Sequence, residues 1–199
     1  MKSPNVLPII CSAEKGRGCK KKNISFWKIN ASFQKVETFR FADYTMNGMW
    51  GYKITDQNYK PAKTLIHYLV KAAGKDANLL MNIGPQPDGE LPAVAMERLA
   101  EIGEWMKVYG ETIYGTRGGC VAPHPWGVTT QKGNKLYVHI LDLQDKALFL
   151  PLDGKRVKKA VGYTDRRPLK IQKCRDGVML YLSEVPTDID KVIELHLEE

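Results

Sequence analysis

Metal-binding and membrane-spanning patterns are both missing from this chain of 199 residues. Its four cysteines form no Cys-x-x-Cys pair, and its four histidines show no His-x-x-x-His or His-x-His spacing, which argues against a structural zinc site. Cys120 and Cys174 are expected to be free buried thiols, or a pair if the chain is exported. No apolar run is long enough to cross a bilayer, and the N-terminus lacks the regions of a signal peptide. We therefore expect no metal, no cofactor and no membrane insertion.

Acidic residues are scarce only near the N-terminus. The formal net charge is +8, and residues 1–40 hold nine Lys and Arg against Glu14 and Glu37. The other 159 residues hold 21 basic and 20 acidic side chains, so the folded part is interpreted as electrostatically ordinary. Residues 1–44 show no clear hydrophobic period and are interpreted as a basic, poorly ordered leader. A leader that binds nucleic acid or an anionic membrane is the competing interpretation. We rank it last and expect no nucleic-acid partner.

The rest of the chain is organised around the stretch Asn78–Pro92, NLLMNIGPQPDGELP. Its apolar run is typical of a buried parallel strand, predicted over 77–83, and a two-residue period puts Asn78, Leu80 and Asn82 on one face. In an α/β barrel, polar residues at the C-terminal ends of strands lie at the active-site face. The competing interpretation is that both asparagines cap a turn and bond to local backbone.

A helical pattern precedes this strand. The helix is predicted over 56–75, with Asp56 or Asn58 as its cap and Pro61 in its first turn. Gly74 marks its end.

A second helical pattern follows the strand over 92–109, where apolar residues recur at steps of four and three until Gly110. Helix, buried strand and helix with short joints indicate part of a (β/α) architecture.

Beyond Thr112 the pattern changes to short strands separated by turns. Strands are predicted over 135–141, 146–150, 156–163, 169–174, 178–182 and 191–197. Asp-Gly pairs at 153–154 and 176–177 are turn signals. Such strands are typical of an antiparallel sandwich, so the predicted fold class is α/β followed by all-β. His139 and His196 fall in strands and are interpreted as filled sheet positions.

One tryptophan stands between two glycines in the motif Thr45–Lys53, TMNGMWGYK. The glycines allow tight backbone conformations that expose or bury the indole of Trp50. An indole face stacks on the C–H-rich face of a sugar, and its N–H can donate a hydrogen bond. Core packing is the competing interpretation for this residue.

Four motifs occur in order: Met-Asn-Gly-Met-Trp-Gly-Tyr, Asn-Leu-Leu-Met-Asn-Ile-Gly-Pro, Asp-Gly-Glu, and Gly-Glu-Trp followed by Tyr-Gly-Glu-Thr-Ile-Tyr. With them the chain resembles, from about Thr45 to its end, the retaining α-L-fucosidases of glycoside hydrolase family 29, especially those of gut Bacteroidota. The resemblance implies a (β/α)8-like catalytic barrel followed by a C-terminal β-sandwich, and exo-hydrolysis of terminal α-L-fucosyl residues of glycans. It divides this chain into the end of the barrel (45–111) and the sandwich (112–199).

The resemblance also implies site residues. A retaining glycosidase uses a carboxylate nucleophile and a carboxyl acid/base about 5 Å apart. In the family the nucleophile is an Asp on an earlier barrel strand, which this chain does not contain. Relatives carry Glu-Thr shortly before Thr-Met-Asn, so Glu37 marks the acid/base region. Trp50 matches the aromatic residue that packs against the fucose ring and its methyl group, and Asn78 and Asn82 are expected to support the site.

We therefore expect a truncated or frame-disrupted α-L-fucosidase product that lacks a complete catalytic pair and is inactive alone. Its exposed barrel surface is expected to promote self-association. The intact family is periplasmic or secreted. The alternative function is a non-catalytic carbohydrate-binding sandwich in which Trp126 or Tyr137 stacks on sugar.

Overall fold

The computed structural model describes residues 40–198, and this range begins with an α/β unit. Its elements are β1 (Arg40–Thr45), α1 (Ala62–Ala73), β2 (Ala77–Asn82) and α2 (Ala93–Tyr109). The two strands pair in parallel, and α1 lies in the connection between them. Parallel neighbours need such a crossover because a tight hairpin can join only antiparallel strands.

The apolar stripe of α1 packs on one face of this strand pair. Leu65 and Ile66 of the helix are buried in one cluster with Leu79 and Met81 of β2. Burying a side chain of this size stabilises the fold by about 1.5–3 kcal/mol. The predicted helix, strand and helix are therefore present, and the other face of the strand pair is left for polar groups.

The first helix is shorter than predicted because its expected cap is used elsewhere. The side chain of Asp56 accepts hydrogen bonds from the backbone N–H groups of Gly48 and Asn58. The N–H of Lys60 donates to the carbonyl of Met46 at 2.8 Å. The helix consequently begins at Ala62, with Pro61 at the N-cap position.

Gly74 ends α1 for a reason that the sequence does not show. Its φ is −64°, so it does not use the left-handed conformation that favours glycine at helix ends. A Cβ atom at this position would lie 2.6 Å from the Cβ of Val128. Close contact with the following sheet therefore requires glycine here.

The rest of the described chain forms two antiparallel sheets. The strands are β3 (Arg117–Gly118), β4 (Gly127–Lys132), β5 (Lys135–Ile140), β6 (Ala147–Leu150), β7 (Val157–Gly162), β8 (Lys170–Lys173), β9 (Val178–Tyr181) and β10 (Lys191–Leu197). One sheet has the order β3-β4-β5-β10-β7 and the other β6-β9-β8. Val138 and Leu195 of the first sheet share a buried cluster with Leu148 and Leu180 of the second. The six predicted strands are present, each to within one residue at its ends.

Strand β4 was not predicted, since its centre reads as polar. Thr129 and Thr130 are both buried. Their hydroxyl groups donate to the backbone carbonyls of Val121 and Thr112, at 3.0 and 2.6 Å. Satisfied hydroxyls make burial of these residues acceptable. The β4–β5 turn is built on Gly133, whose φ is +57°.

The two parts of the fold are joined by polar contacts. The side chain of Asp76, held at φ +53°, accepts a hydrogen bond from the Gly118 N–H at 2.7 Å. The Nε2 atom of His67 lies 2.7 Å from the carbonyl oxygen of Ile189. Aspartate tolerates the left-handed conformation better than most residues, which suits it to this tight connection.

The histidine of β5 fills a buried position in the same junction. His139 is fully buried, and its Nδ1 atom lies 2.7 Å from the Asp190 carboxylate. Its Nε2 atom lies 3.2 Å from the hydroxyl of Thr130. The prediction that this histidine occupies a filled sheet position is confirmed.

The two described cysteines overturn one expectation. Cys120 and Cys174 are free but exposed, so the prediction of buried thiols is wrong; Cys174 lies in the turn between β8 and β9.

Within residues 40–198, no cluster of three or more His, Cys, Asp or Glu side chains is arranged to hold a metal ion. None of the helices in that range has the length and apolarity needed to cross a membrane.

The segment interpreted as a leader, 1–44, lies mostly outside the described residues, and Glu37 with it. The described part of that segment belongs to β1, which begins at Arg40. No turn signal in the sequence marks β1, because tight turns join antiparallel neighbours and β1 pairs in parallel with β2, which begins only at Ala77.

A buried carboxylate on β10 organises charges at the surface of the larger sheet. The side chain of Glu194 is only 2% exposed, and it accepts a hydrogen bond from Arg166 at 2.8 Å. His196 Nε2 lies 2.7 Å from it, and Lys135 Nζ lies 3.6 Å from it. Burial acts to raise the pKa of Glu194, but the Arg166 hydrogen bond and the three nearby positive groups outweigh burial and lower the pKa.

We expect Glu194→Gln to lower the free energy of unfolding at pH 7 by about 2 kcal/mol, because charge-assisted hydrogen bonds are lost. The folded-state pKa is depressed, so this contribution is present above the unfolded-state pKa of about 4.3 and is lost as the pH falls through the folded-state value. Urea unfolding over a series from pH 7 to pH 2 measures both effects. The control Glu97→Gln, on the exposed face of α2, should change stability by less than about 0.5 kcal/mol. A loss in the control equal to that of Glu194→Gln would contradict the prediction.

Candidate active site

The parallel strand pair has one face on the helices and one face with polar side chains. Cα partners in the pair include Asp43 with Leu80 and Thr45 with Asn82. Side chains alternate along each strand, so these residues share the face opposite to Leu79 and Met81. The predicted grouping of Asn78, Leu80 and Asn82 on one face is therefore present.

The C-terminal ends of β1 and β2 carry a loop, residues 46–60, with an exposed tryptophan at its tip. Trp50 is 50% exposed and Met49 is 49% exposed. The preceding residues Met46 and Asn47 are buried. Trp50 thus does not pack in the core, which had been its competing interpretation.

Asn82 anchors this loop to the end of β2. Its side-chain Nδ2 donates to the carbonyl of Trp50 at 2.6 Å, and its backbone carbonyl accepts from the Met46 N–H at 3.1 Å. The Asn82 side chain is 2% exposed. Its partner lies 32 residues upstream, so the competing interpretation of a local turn cap is wrong for this residue.

Gly84 leaves room for the loop to lie directly on the chain after β2. A Cβ atom at this position would lie 2.6 Å from the carbonyl carbon of Gly51 and 3.0 Å from the Cα of Tyr52. Real Cβ atoms essentially never approach other atoms that closely. The loop that carries Trp50 can therefore take its position only because residue 84 is glycine.

A lysine closes the base of the loop. The ammonium group of Lys60 donates to the carbonyls of Thr45 and Asn47, at 2.6 and 2.9 Å. Thr45 is the last residue of β1, so Lys60 ties the end of the loop to its start. Asp56 adds the backbone contacts described above, and the loop is held from several directions.

The polar face also contains a carboxyl group that sequence reasoning missed. One oxygen of Asp43, Oδ1, is buried without a hydrogen-bond partner. Desolvation raises the pKa of Asp43, so this carboxyl keeps its proton to a higher pH than an ordinary aspartate. A protonated carboxyl can donate a hydrogen bond or a proton. This face therefore carries a group that can act as a general acid, in addition to groups that can bind a ligand.

The other residues considered from sequence lie elsewhere. Asn78 lies on the polar face four residues before Asn82 and is half-buried. Tyr137 is fully buried, so it cannot be an exposed platform for sugar, and that prediction is wrong. Trp126 is half-buried and stacks on His124, with ring centroids 5.6 Å apart.

Asp43, Lys60 and Gly84 were missed for related reasons. The strand that places Asp43 was not predicted, so no face could be assigned to it. Lys60 and Gly84 act through backbone atoms that are distant in sequence, and only the glycine-proline stop after β2 signalled that the chain turns there.

We expect Gly84→Ala to displace the loop, because the added methyl group would overlap the backbone at Gly51 and Tyr52. The indole N–H resonance of Trp50, assigned by its loss in Trp50→Phe, should shift in the NMR spectrum. Gly103→Ala is the matched control, since Gly103 lies in α2 with open space around it. That control should leave the resonance unchanged and stabilise the helix by up to about 1 kcal/mol. An unchanged Trp50 resonance in Gly84→Ala would show that the glycine is not needed for the loop.

Comparisons with known proteins agree on one family. A model of the family described as alpha-L-fucosidase matches residues 12–111. This match starts upstream of Thr45, so similarity to the family extends further into residues 1–44 than the motifs indicated.

Individual relatives give the same result. The plasma alpha-L-fucosidase of Pongo abelii is 38% identical over an alignment of 151 residues that covers 68% of this chain and 32% of the relative. The solved structure of alpha-L-fucosidase isoenzyme 1 from Paenibacillus thiaminolyticus has a TM-score of 0.71 and 38% identity, covering 80% of this chain and 40% of that one. The Thermotoga maritima alpha-fucosidase in complex with fucose has a TM-score of 0.66 and 25% identity, covering 78% of this chain and 39% of that one.

The chain spans about a third of the length of the curated relative from Pongo abelii. The family match covers half of the chain, and the relative from Pongo abelii and the solved relative from Paenibacillus thiaminolyticus belong to the same family. The chain belongs to the α-L-fucosidase family.

Proposed function

We propose that this chain contributes the fucose-binding side of an exo-acting, retaining α-L-fucosidase that removes terminal α-L-fucosyl residues from glycans. The observation that carries the proposal is the exposed indole of Trp50, held over the C-terminal ends of two parallel strands by Asn82 and Gly84. An indole face suits the apolar side of a fucose ring and its methyl group. The Thermotoga maritima relative, solved with fucose, supports this ligand.

We further propose that the α/β unit is the last part of a (β/α)8-like barrel and that the two sheets form a C-terminal β-sandwich. The predicted bounds are 45–111 and 112–199, and the barrel part is extended to Arg40 because β1 belongs to the α/β unit. Helices on one face of parallel strands are the arrangement of a barrel wall, and polar residues at the C-terminal ends of such strands lie at the site. The change from α2 to antiparallel strands after Thr112 supports the boundary.

In this proposal the chain does not hydrolyse fucosides alone. A retaining mechanism needs two carboxyl groups about 5–5.5 Å apart. On the polar face, the described residues supply the carboxyl of Asp43. Glu37 is proposed to mark the acid/base region, and the nucleophile is assigned to a part of the family fold that this chain does not match. Trp50, Asn78 and Asn82 would then bind and support the sugar.

The two edges of the strand pair suggest how the chain associates. Among the described strands, β1 and β2 pair only with each other, so each leaves one edge of N–H and C=O groups without a strand partner. Such edges favour pairing with another chain. We propose self-association through these edges, and a periplasmic or secreted location as in the intact family.

The alternative of a purely sugar-binding sandwich has less support, because Tyr137 is buried.

Binding is tested by saturation-transfer NMR with L-fucose and the full chain. We expect transfer to the fucose methyl and ring protons, and its loss in Trp50→Ala because the stacking surface is gone. Ile54→Ala is the matched control in the same loop, since Ile54 is 74% exposed and its removal should leave the signal intact. Equal signals from Trp50→Ala and the unchanged chain would remove Trp50 from the proposed site.

Catalysis is tested with an aryl α-L-fucoside. The full chain is expected to release no more aryl alcohol than buffer, because the carboxylate nucleophile is proposed to belong to a part of the family fold that this chain does not match. Asp43→Asn and Glu37→Gln are made in parallel. Turnover by the unchanged chain that either substitution abolishes would overturn the proposed inactivity and identify a catalytic carboxyl group.

A further inference from the structure

Residues 41–199 carry almost no net charge, but their basic and acidic residues are unevenly distributed along the chain. Residues 153–176 hold nine Lys and Arg against three Asp. The other residues from 41 onward, 41–152 and 177–199, hold 12 basic and 17 acidic residues. The interpretation of this part as electrostatically ordinary is correct for its net charge and wrong for the distribution of its charged residues.

The basic segment folds so that its two halves lie side by side. Strand β7 is the last strand of the larger sheet, and β8 is the last strand of the smaller one. Val161 forms an antiparallel bridge with Pro168, and the Leu169 N–H donates to the Ala160 carbonyl at 2.9 Å. At the other end, a Cβ atom at Gly154 would lie 3.3 Å from the Cβ of Lys173. The outer strands of the two sheets are therefore close to each other at both ends of the segment.

Eight exposed basic side chains follow these two strands, and we call them the basic edge: Lys155, Arg156, Lys158, Lys159, Arg167, Lys170, Lys173 and Arg175. No described acidic side chain forms an ion pair with any of them, whereas the neighbouring Arg166 is paired with Glu194. The acidic residues of the segment are used in its turns: Asp153 accepts from the Lys155 N–H and Asp165 from the Arg167 N–H. The positive charge of the edge is left for solvent or a partner.

Protection of strand edges explains only part of this charge. One or two lysines suffice to stop an edge strand from pairing with another chain. Eight basic side chains along two adjoining strands also repel one another, a cost that an anionic partner would remove. Charge complementarity therefore indicates a polyanion.

The surface beside the basic edge has features that suit a sugar chain. Lys170 Nζ lies 5.4 Å from the centroid of the Tyr181 ring, and the Tyr181 hydroxyl donates to Gln172 at 2.7 Å. Phe149 is 41% exposed on the same small sheet. The described helix on this edge is a 3-10 helix of three residues, Gly154–Arg156, which is too short to enter the major groove of a nucleic acid duplex.

We propose that the basic edge binds an anionic polysaccharide, one that carries sulfate or uronate groups. The inference rests on the proposed function, because it assigns anionic glycans as the substrate class. It concerns a surface built from β7 and β8, and Trp50 has no part in it.

The test uses the full chain and fluorescein-labelled chondroitin sulfate, with binding followed by anisotropy at several NaCl concentrations. Lys158→Glu/Lys159→Glu and Lys170→Glu/Lys173→Glu remove the edge charges on each strand. Each pair should weaken binding by about tenfold or more and reduce the slope of log Kd against log salt concentration by about 2, because two cationic contacts are lost. The matched control Lys63→Glu/Lys71→Glu changes the net charge equally on exposed positions of α1 and should stay within about twofold of the unchanged chain.

Three further measurements separate the outcomes. All variants keep the basic residues of 1–40, so a loss of affinity in the α1 control equal to that of the edge variants would show a general charge effect and overturn the proposal. Tighter binding of single-stranded DNA of matched charge, or of phosphatidylcholine–phosphatidylglycerol vesicles, would also overturn it. The L-fucose signal in saturation-transfer NMR should be unchanged in the edge variants. If the edge variants bind chondroitin sulfate as well as the unchanged chain does and the fucose signal is present, only the proposed polysaccharide surface is rejected. If the unchanged chain gives no fucose signal, the proposed function is rejected.

Discussion

The parallel pairing of β1 with β2 is the constraint on which the rest of the α/β unit depends. Once Asp43 stands beside Leu80 and Thr45 beside Asn82, one face must take the helices and the other must take the polar groups. The same register brings the C-terminal ends of both strands together. The loop that carries Trp50 starts at one of these ends and is held by Asn82 at the other.

The site is therefore built mainly from contacts to backbone. Lys60 and Asn82 bind carbonyl groups, and Asp56 binds N–H groups. Gly84 adds the space that these contacts need. Such an arrangement fixes the direction of the loop while leaving the indole of Trp50 free to contact a ligand, which is what a binding platform needs.

The antiparallel sheets are attached closely to this unit, and they bring their own charge pattern. Glycine at position 74 lets the end of α1 touch Val128 of β4, and Asp76 holds the start of β3. The outer strands of the two sheets, β7 and β8, carry the basic edge. The proposed fucose-binding loop and the proposed polyanion-binding edge are physically compatible on one chain, because they involve different residues and different forces: stacking at the first and charge at the second.

Much of the fold was predictable because local patterns determine it. The apolar run after Asn78, the helical stripe of α2 and the alternating strands from β5 to β10 each follow from the spacing of apolar residues. The family motifs drew attention to Trp50 as a candidate, and the two-residue period put Asn78 and Asn82 on a common face.

What the tertiary structure alone decided involves residues far apart in the chain. Strand β1 exists as part of a parallel pair with a partner that begins at Ala77, and no turn signal can announce such a pairing. Asp43 and Gly84 gain their roles only from that pairing and from the loop packed on it. The buried threonines of β4 look polar in sequence, since their carbonyl partners are chosen by the fold. The basic edge forms because two lysine-rich segments come to lie side by side, and a charge sum over the chain cannot contain that information.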